Sequence, residues 1–460
     1  MDLTDVEWLD GPRGRQVLAT LPAYRAEEAI AVSLRLRGQG LDPSEAAAAL
    51  TQSRLKSAVA RRWGQGYDDL VASLLFTPRG AEQATRPVVA ALRADRFAAL
   101  GLGARVADLG CGLGVDTLAL LARDLAVDAF EVDQVTAAIA AANVRRSPGG
   151  TVRRTDVTAV APQTWTRYDA VFVDPARRGS GQRSGAGRIG DPERWSPPLS
   201  WVLALEVAHL AVKVAPGLAH AAVPEGTEFA TVSVGGDVVE AGLYRGALRS
   251  SGVRRSATVV RPTFTSWGRH TSGPAPVTLT DGDLPDAPVP ARPLGRYLHE
   301  PDGAVIRAGL VGAVAAGLDA WLIDPDIAYL SSDRAAPPEV VTSGLVSSYR
   351  VTAAMPFSLK TLRAHLRAEG VGHVVVKKRG SAVDVDRLRA SLRLDPAQPG
   401  RRVVVLTRVG AAPLAVVTEA LTGLTRGAVE LSRPARTWSR GPNGRRTAIR
   451  PAKAPRPAPE

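Results

Sequence analysis

Two periods run along this chain. Over roughly the first hundred residues, apolar positions recur at helical spacing. The segments AEEAIAVSLRLRGQG and PSEAAAALTQSRLKSAVARRWG are rich in Ala, Leu, Glu and Arg, which lose little rotamer freedom in a helix. A further helix is expected from Gly80 to Phe97. From Arg105 the pattern shortens to β-branched runs: RVADL, VDAF, TVRR and AVFV read as strands, with VDTLALLARD and QVTAAIAAAN as helices between them. Such alternation predicts a parallel sheet covered by helices on both faces. HLAVKV supplies a fifth strand, and EFATVSV with SATVVRP is expected to close the sheet at one edge.

After Pro262 the chain becomes rich in Pro, Gly, Ser and Thr, which predicts a loop-heavy connector, followed by a helical stretch near Asp302 to Asp319. A compact unit comes next: SSYRV as strand, SLKTLRAHLRAE as helix, HVVVKKRG as strand, VDVDRLRASLRL as helix, then RRVVVLTRV and PLAVVTEAL as strands. The expected organisation is a helical region over 1–100, an α/β domain over 101–262, a connector over 263–343 and a small α/β domain over 344–418. A basic tail, expected to be disordered, covers 419–460. No internal repeat is evident.

With 460 residues, the chain can build two or three cores. The formal charge of +13 points to an acidic partner such as nucleic acid. Residues 426–460 hold nine Lys or Arg against two Glu and so carry seven of those thirteen charges, leaving the rest only moderately basic. The first residues, MDLTDVEWLD, lack a basic-then-apolar leader pattern, and the longest apolar candidate, Trp201 to Val223, contains Glu206, His209, Lys213 and His220. No membrane span is therefore expected. The single cysteine, Cys111, excludes an internal disulfide, and a cytoplasmic location is expected. Six scattered histidines show no metal-ligand spacing, so no metal site is expected. Neither a Gly-x-Ser-x-Gly elbow nor a phosphate-binding Gly-Lys-Ser motif is present, which sets aside hydrolases and nucleotide triphosphatases.

The strongest chemical signal is VADLGCGLGVD, Val106 to Asp116. A strand ends at Asp108, and Gly110, Gly112 and Gly114 follow at alternate positions before a helix, where glycine permits a tight turn and close approach of the backbone to a ligand. Glu131 ends the next strand, 23 residues after Asp108, where a carboxylate can accept both hydroxyls of a ribose. Asp156 follows the third strand, at the place where a side chain or neighbouring amide can hold an adenine. Asp133 reads better as a cap of the next helix. A nicotinamide site would want Gly-x-Gly-x-x-Gly, and here the third glycine comes one residue early.

This three-part pattern resembles the class I S-adenosylmethionine-dependent methyltransferases. The resemblance implies a Rossmann-like α/β sheet and S-adenosyl-L-methionine as cofactor. It also implies that Asp108, Gly110 and Gly112 face the methionine part, Glu131 the ribose and Asp156 the adenine. After the fourth strand comes DPARRG. Asp174 then stands in the crevice at a strand's carboxyl end, where its carboxylate, or the carbonyls of Asp174 and Pro175, can accept hydrogen bonds from an amine about 3 Å from a methyl carbon. A helix N-cap is the plainer alternative for Asp174. Arg177 stands where related enzymes carry a base-stacking aromatic, and a guanidinium plane stacks on a base and attracts phosphate. Arg177 and Arg178 read equally as a solvated loop, and the Gly- and Arg-rich run GSGQRSGAGRIGDPERW follows them. The loop also resembles that of carbon-5 uridine methyltransferases, which need a nucleophilic cysteine. Cys111 lies in the cofactor loop, so nitrogen is the better acceptor, with oxygen open.

Upstream, Glu82, Gln83 and Thr85 begin the segment leading into the cofactor domain; class I enzymes often use such a segment over the methionine end, and helix capping is the alternative. Taken with EQAT, ADLGCGLGVD, DPARRG, YLHEPDGAVIRAG and MPFSLKTLRAHL…VVVKKRG, residues 60–418 resemble bacterial methyltransferases ending in a THUMP-like domain. That resemblance implies an RNA substrate. Lys377, Lys378 and Arg379 become candidates for phosphate contact, with a solvated strand edge as the alternative, and Trp438 among Arg433, Arg436 and Arg440 a candidate for stacking. A small-molecule or protein methyltransferase, or a non-catalytic RNA-binding relative, remain as rivals. Nothing in the sequence reports the oligomeric state.

Overall fold

The structure, a computed structural model, describes residues 1–177, 189–268 and 270–421, together with the backbone of the strands Trp438–Arg440 and Arg446–Ala448. It divides into two compact units, Met1–Ser348 and Tyr349–Glu460.

The first unit begins with seven helices: α1 (Leu3–Asp10), α2 (Pro12–Thr20), α3 (Ala29–Gly38), α4 (Pro43–Trp63), α5 (Asp68–Ser73), α6 (Pro78–Gln83) and α7 (Pro87–Ala98). Local chemistry sets the limits of α4. Asp42 accepts the N–H groups of Ser44 and Glu45, Glu45 reaches back to the N–H of Asp42, Pro43 occupies the first turn, and Gly64 ends the helix at φ +87°. Its buried face, Ala46, Ala49, Gln52, Leu55, Val59 and Trp63, recurs every three or four residues. The single helix expected from Gly80 to Phe97 is two. Pro87 disfavours helical backbone at the residue before it, and Arg86 is extended at ψ 134°. At the break, Thr85 is buried with its hydroxyl bonded to Asp116 and Lys213.

The sheet consists of β1 (Arg105–Leu109), β2 (Ala126–Glu131), β3 (Gly150–Arg154), β4 (Ala170–Val173), β5 (Leu210–Val214), β6 (Glu228–Val234), β7 (Asp237–Arg245) and β8 (Arg255–Val260). Its order is β8-β6-β7-β5-β4-β1-β2-β3, with Val277–Thr280 added beside β8. Strands β5, β4, β1, β2 and β3 are mutually parallel, as expected, while β7 runs antiparallel between β5 and β6. Helices α8 (Val115–Leu121) and α9 (Gln134–Val144) follow β1 and β2. One core cluster joins N-terminal residues such as Val59, Trp63 and Phe76 to Val106, Leu120, Ile139 and Phe172 of the sheet domain; a second, around Trp165, Val171, Val202 and Val212, also involves β1, β4 and β5. The helical region is thus continuous with the sheet domain. Residues 263–343, expected as a connector, contain further strands: Tyr297–Pro301, Trp321–Asp324 and Ile327–Ser332 pair antiparallel.

In the second unit, the strand Val346–Pro356 pairs from Tyr349 onward with Ala412–Ala420, which pairs with Gly400–Val409 and then, in parallel, Val371–Lys378. Helices Leu359–Ala368 and Val385–Leu392 bury Leu362, Leu366, Leu388 and Leu392 against Val404, Leu406, Ala415 and Val417. The expected disordered tail lies outside the described residues from 422, apart from those two short paired strands, and so do the side chains of Trp438 and its arginines.

Candidate active site

The chain runs from β1 outward through β2 and β3, then returns to place β4 and β5 on the other side of β1. A crevice opens at such a reversal, outside the carboxyl ends of the strands. Along that edge stand, in spatial order, Lys213 within β5, Asp174 after β4, the glycine turn after β1, Glu131 at the end of β2 and Asp156 after β3.

The three glycines of the turn have different duties. All hold positive φ: +85° at Gly110, +56° at Gly112 and +81° at Gly114. A β-carbon on Gly110 would lie 2.8 Å from the carbonyl oxygen of Asp174, and one on Gly114 would lie 3.1 Å from Val144. Gly112 alone of the three would point its β-carbon at open space, with nothing within 4 Å, so there the backbone itself is bare to a ligand. Its N–H donates to Glu131 Oε2 at 3.1 Å, and that of Asp133 to Oε1 at 2.9 Å. Burial raises the Glu131 carboxyl against the opposing effect of these bonds.

Asp108, the candidate for the methionine part, is completely buried. Its Oδ2 accepts the Thr117 hydroxyl at 2.5 Å, Oδ1 has no partner among the described residues, and burial pushes the carboxyl up to about 7. Asp133 caps α9 by accepting the N–H and hydroxyl of Thr136. Asp156 is exposed and uses Oδ1 for the hydroxyl and N–H of Thr158, bonds that lower its carboxyl.

Upstream, side-chain amides stitch the segment before α6 to the turn. Gln52 brackets Phe76, donating to its carbonyl at 2.7 Å and accepting its N–H at 3.0 Å. Asn143 on α9 accepts the N–H of Leu75 and donates to the carbonyls of Leu75 and Leu113. A β-carbon on Gly80 would meet Leu113 at 2.6 Å, so α6 packs directly on the glycine turn. Glu82 and Gln83 lie exposed on α6, whereas Thr85 turns inward.

There Thr85 enters a cluster that sequence reasoning missed. Its hydroxyl donates to Asp116 Oδ2 at 2.6 Å and accepts Lys213 Nζ at 2.9 Å. Lys213 also donates to Asp174 Oδ2 at 2.9 Å and lies 3.8 Å from Glu240 Oε2. Arg93 closes the ring by pairing with both Asp116 and Glu240. Burial works against the Arg93 charge, but Glu240 and its neighbours win and raise its affinity for the proton. Arg93, Asp116, Lys213 and Glu240 are all buried. Taking each ion out of water costs several kcal/mol, so the cluster persists only because every charge has a partner. The signal for Lys213 was present in HLAVKV: a lysine in an otherwise apolar central strand must find a counter-charge.

Asp174 is partly exposed, and Pro175 is buried beside it. After them, Ala176 exchanges backbone bonds with Ser196, and the N–H of Ile189 donates to the carbonyl of Arg177 at 2.9 Å. The guanidinium of Arg177 lies over the indole of buried Trp195, 6.0 Å from its centroid. An aromatic is therefore present, as the arginine's own neighbour. Arg178 lies outside the described residues. Cys111 is buried, and burial raises its thiol well above the ordinary range.

In the second unit, Lys378 is exposed and donates to the carbonyl of Val383, while Lys377 and Arg379 are half-buried; the Lys377 ammonium lies 5.7 Å from the Tyr349 ring centroid. Their strand is the last in its sheet. Among the described residues no cluster of His, Cys, Asp or Glu is placed to hold a metal ion, and no helix is long and apolar enough to cross a membrane.

Comparison with known proteins agrees with this architecture. A family described as THUMP domain-like matches residues 346–420, and a domain of unknown function matches 2–57. A crystal structure of a Porphyromonas gingivalis W83 protein assigned as a methyltransferase shares the fold, with a TM-score of 0.59 at 17% identity over 87% of this chain and 100% of that one. The 23S rRNA (uracil(1939)-C(5))-methyltransferase of Aeromonas salmonicida is 29% identical over 196 residues, 38% of this chain and 44% of its own length. Uncharacterized S-adenosylmethionine-dependent methyltransferases of two Mycobacterium tuberculosis strains are 35% identical over 356 residues, covering 76% of this chain and 88% of theirs. The chain belongs with them to the S-adenosylmethionine-dependent methyltransferases, and S-adenosylmethionine is its cofactor.

Proposed function

We propose that this enzyme methylates a nitrogen of a base in structured RNA, transfer or ribosomal. The observation that carries the reading is a THUMP-like domain on the same chain as a DPARRG loop with no usable thiol. The partial relative named for carbon-5 methylation of 23S rRNA supports RNA as substrate. Its carbon chemistry does not carry over here, because the only cysteine is buried in the glycine turn with its thiol held protonated.

When bound, S-adenosylmethionine supplies a methyl group on a sulfonium and its own neutral leaving group. The turn from Gly110 to Gly114 receives the methionine part, with Asp108 shaping it from below and Glu82 and Gln83 covering it. Glu131, oriented by the N–H groups of Gly112 and Asp133, keeps lone pairs for the ribose hydroxyls, and the turn capped by Asp156 receives the adenine. Asp174 and the carbonyl of Pro175 accept the hydrogens of the target amine, which turns its lone pair toward the methyl group. Arg177 and Arg178, with Lys377, Lys378 and Arg379, meet substrate phosphates.

The test is transfer of labelled methyl from S-adenosylmethionine to small RNA from a strain lacking this gene, with Asp174→Ala as control. Label in one RNA size class that disappears with the variant is the expected result. Label found only in protein or metabolites would overturn the RNA reading.

A further inference from the structure

We infer that Lys213 and Thr85 are positioning residues for methyl transfer: together they hold the carboxylate of Asp174 in the one orientation that meets the acceptor. This rests on Asp174 being the acceptor-side group, as proposed above.

Lys213 is the polar exception in β5, whose other members, Leu210, Ala211, Val212 and Val214, are apolar and buried. The β4–β5 register pairs Val173 with Val212, so the next positions are Asp174, just past the end of β4, and Lys213 within β5. Its ammonium donates to Asp174 Oδ2 and Thr85 Oγ1 and is drawn from a third side by the Glu240 carboxylate, 3.8 Å away, the three groups lying on different elements. An ammonium held from three sides has one placement, and so has the carboxylate oxygen it binds.

Thr85 gives the arrangement its direction. A hydroxyl has a single hydrogen, and here it goes to Asp116, leaving lone pairs for Lys213. Asp116 is fixed in turn by Arg93. The relay therefore runs from α7 and the first turn of α8, through the break between α6 and α7, to the loop after β4. Packing alone does not call for a charge at position 213. A methionine would fill similar space without the desolvation cost, Glu240 would keep Arg93, and Asp174 would keep access to water. A purely structural role thus predicts a tolerated substitution.

The full-length enzyme is compared as wild type, Lys213→Met, Thr85→Val, Thr85→Ser, Asp174→Asn and the Asp174→Asn/Lys213→Met double variant. Labelled methyl transfer is followed into the RNA, protein and small-molecule fractions of an extract from a strain lacking the gene, and S-adenosylhomocysteine binding is measured by calorimetry. Lys213→Met is expected to lower kcat about 30- to 100-fold, the scale of an ångström's misplacement. The KM for S-adenosylmethionine and the Kd for S-adenosylhomocysteine should stay within about twofold. Thr85→Val should lower kcat about tenfold, Thr85→Ser should restore it, and the double variant should be no slower than Asp174→Asn alone. Wild-type turnover by Lys213→Met would overturn the inference, as would single losses that multiply in the double variant, since Lys213 would then act independently of Asp174. Label confined to protein or metabolites would overturn the RNA reading while leaving the relay to be judged by the same variants.

Discussion

Two groups of charge in this molecule obey opposite rules. Beneath Asp174, the buried groups Arg93, Asp116, Lys213 and Glu240 each have a counter-charge. In the THUMP-like domain, Lys377, Lys378 and Arg379 end a strand at the margin of its sheet, with Lys378 exposed. In the first group, stability hangs on Arg93, the cation that Asp116 and Glu240 share, because low polarity makes an unpaired ion costly. The second lies nearer the surface, where charge is screened by salt and a lost partner is replaced by water.

The contrast is most directly broken at Arg93. Arg93→Met leaves Asp116 and Glu240 buried without their shared cation, and should cost about 3–5 kcal/mol in urea unfolding. A loss below about 1 kcal/mol would mean that the cluster tolerates vacancy as a surface would.

Buried titratable groups elsewhere sharpen the first rule through pH. Asp108 is pushed up to about 7 by burial, so the folded state keeps a proton the unfolded chain loses. That stabilisation is complete below pH ~4 and disappears as pH rises through 7. His299 is buried between the hydroxyls of Ser348 and Ser332 and pushed down to about 4 by burial. Its contribution has the other sign: present above pH ~6.5 and lost as pH falls toward 4. Each amounts to roughly 3–4 kcal/mol, so the two nearly cancel between pH 4.5 and 6.5. Relative to wild type, His299→Gln should make stability fall as pH rises across that window, and Asp108→Asn should make it climb. Parallel curves for the three proteins would refute the assignment.

A smaller effect comes from the backbone between these groups. Gly110→Ala places a methyl 2.8 Å from the Asp174 carbonyl at a positive φ, and should cost about 1–3 kcal/mol and weaken S-adenosylhomocysteine binding about tenfold in calorimetry. The smallest change in stability belongs to the second group. Replacing Lys377, Lys378 and Arg379 together by Ala should leave stability within about 1 kcal/mol. It should nonetheless reduce the salt dependence of RNA binding by a slope of up to about three. An unchanged slope would remove these residues from the RNA contact.

What could be read from the sequence follows from the range of each interaction. The glycine turn, Glu131 and the four parallel strands from RVADL to AVFV are carried by local spacing, and they are where the pattern put them. The helix expected through Ala84 to Arg86 failed because its apolar period outweighed Pro87, the breaker inside it. Strand β7, rich in Val but interrupted by Glu240 and Gly242, gave no strand pattern of its own; it is made a strand by neighbours on both sides. The charge cluster was beyond reach for a plainer reason. Thr85 and Lys213 are 128 residues apart, and only the folded register brings them to hydrogen-bonding distance. Arg177 read equally as a substrate contact or a solvated loop residue, because Trp195, the ring it covers, comes 18 residues later.

The same separations set an order of assembly during synthesis. Asp116 follows Arg93 by 23 residues, but Glu240 follows it by 147. At roughly 5–20 residues per second, a ribosome needs on the order of ten seconds to deliver that second partner. Glu131 and the glycine turn emerge well within the interval, and Asp174 emerges before the lysine that holds it. A nascent chain therefore has the parts of its glycine turn in hand while the charges that gather around Lys213 are still waiting for one another.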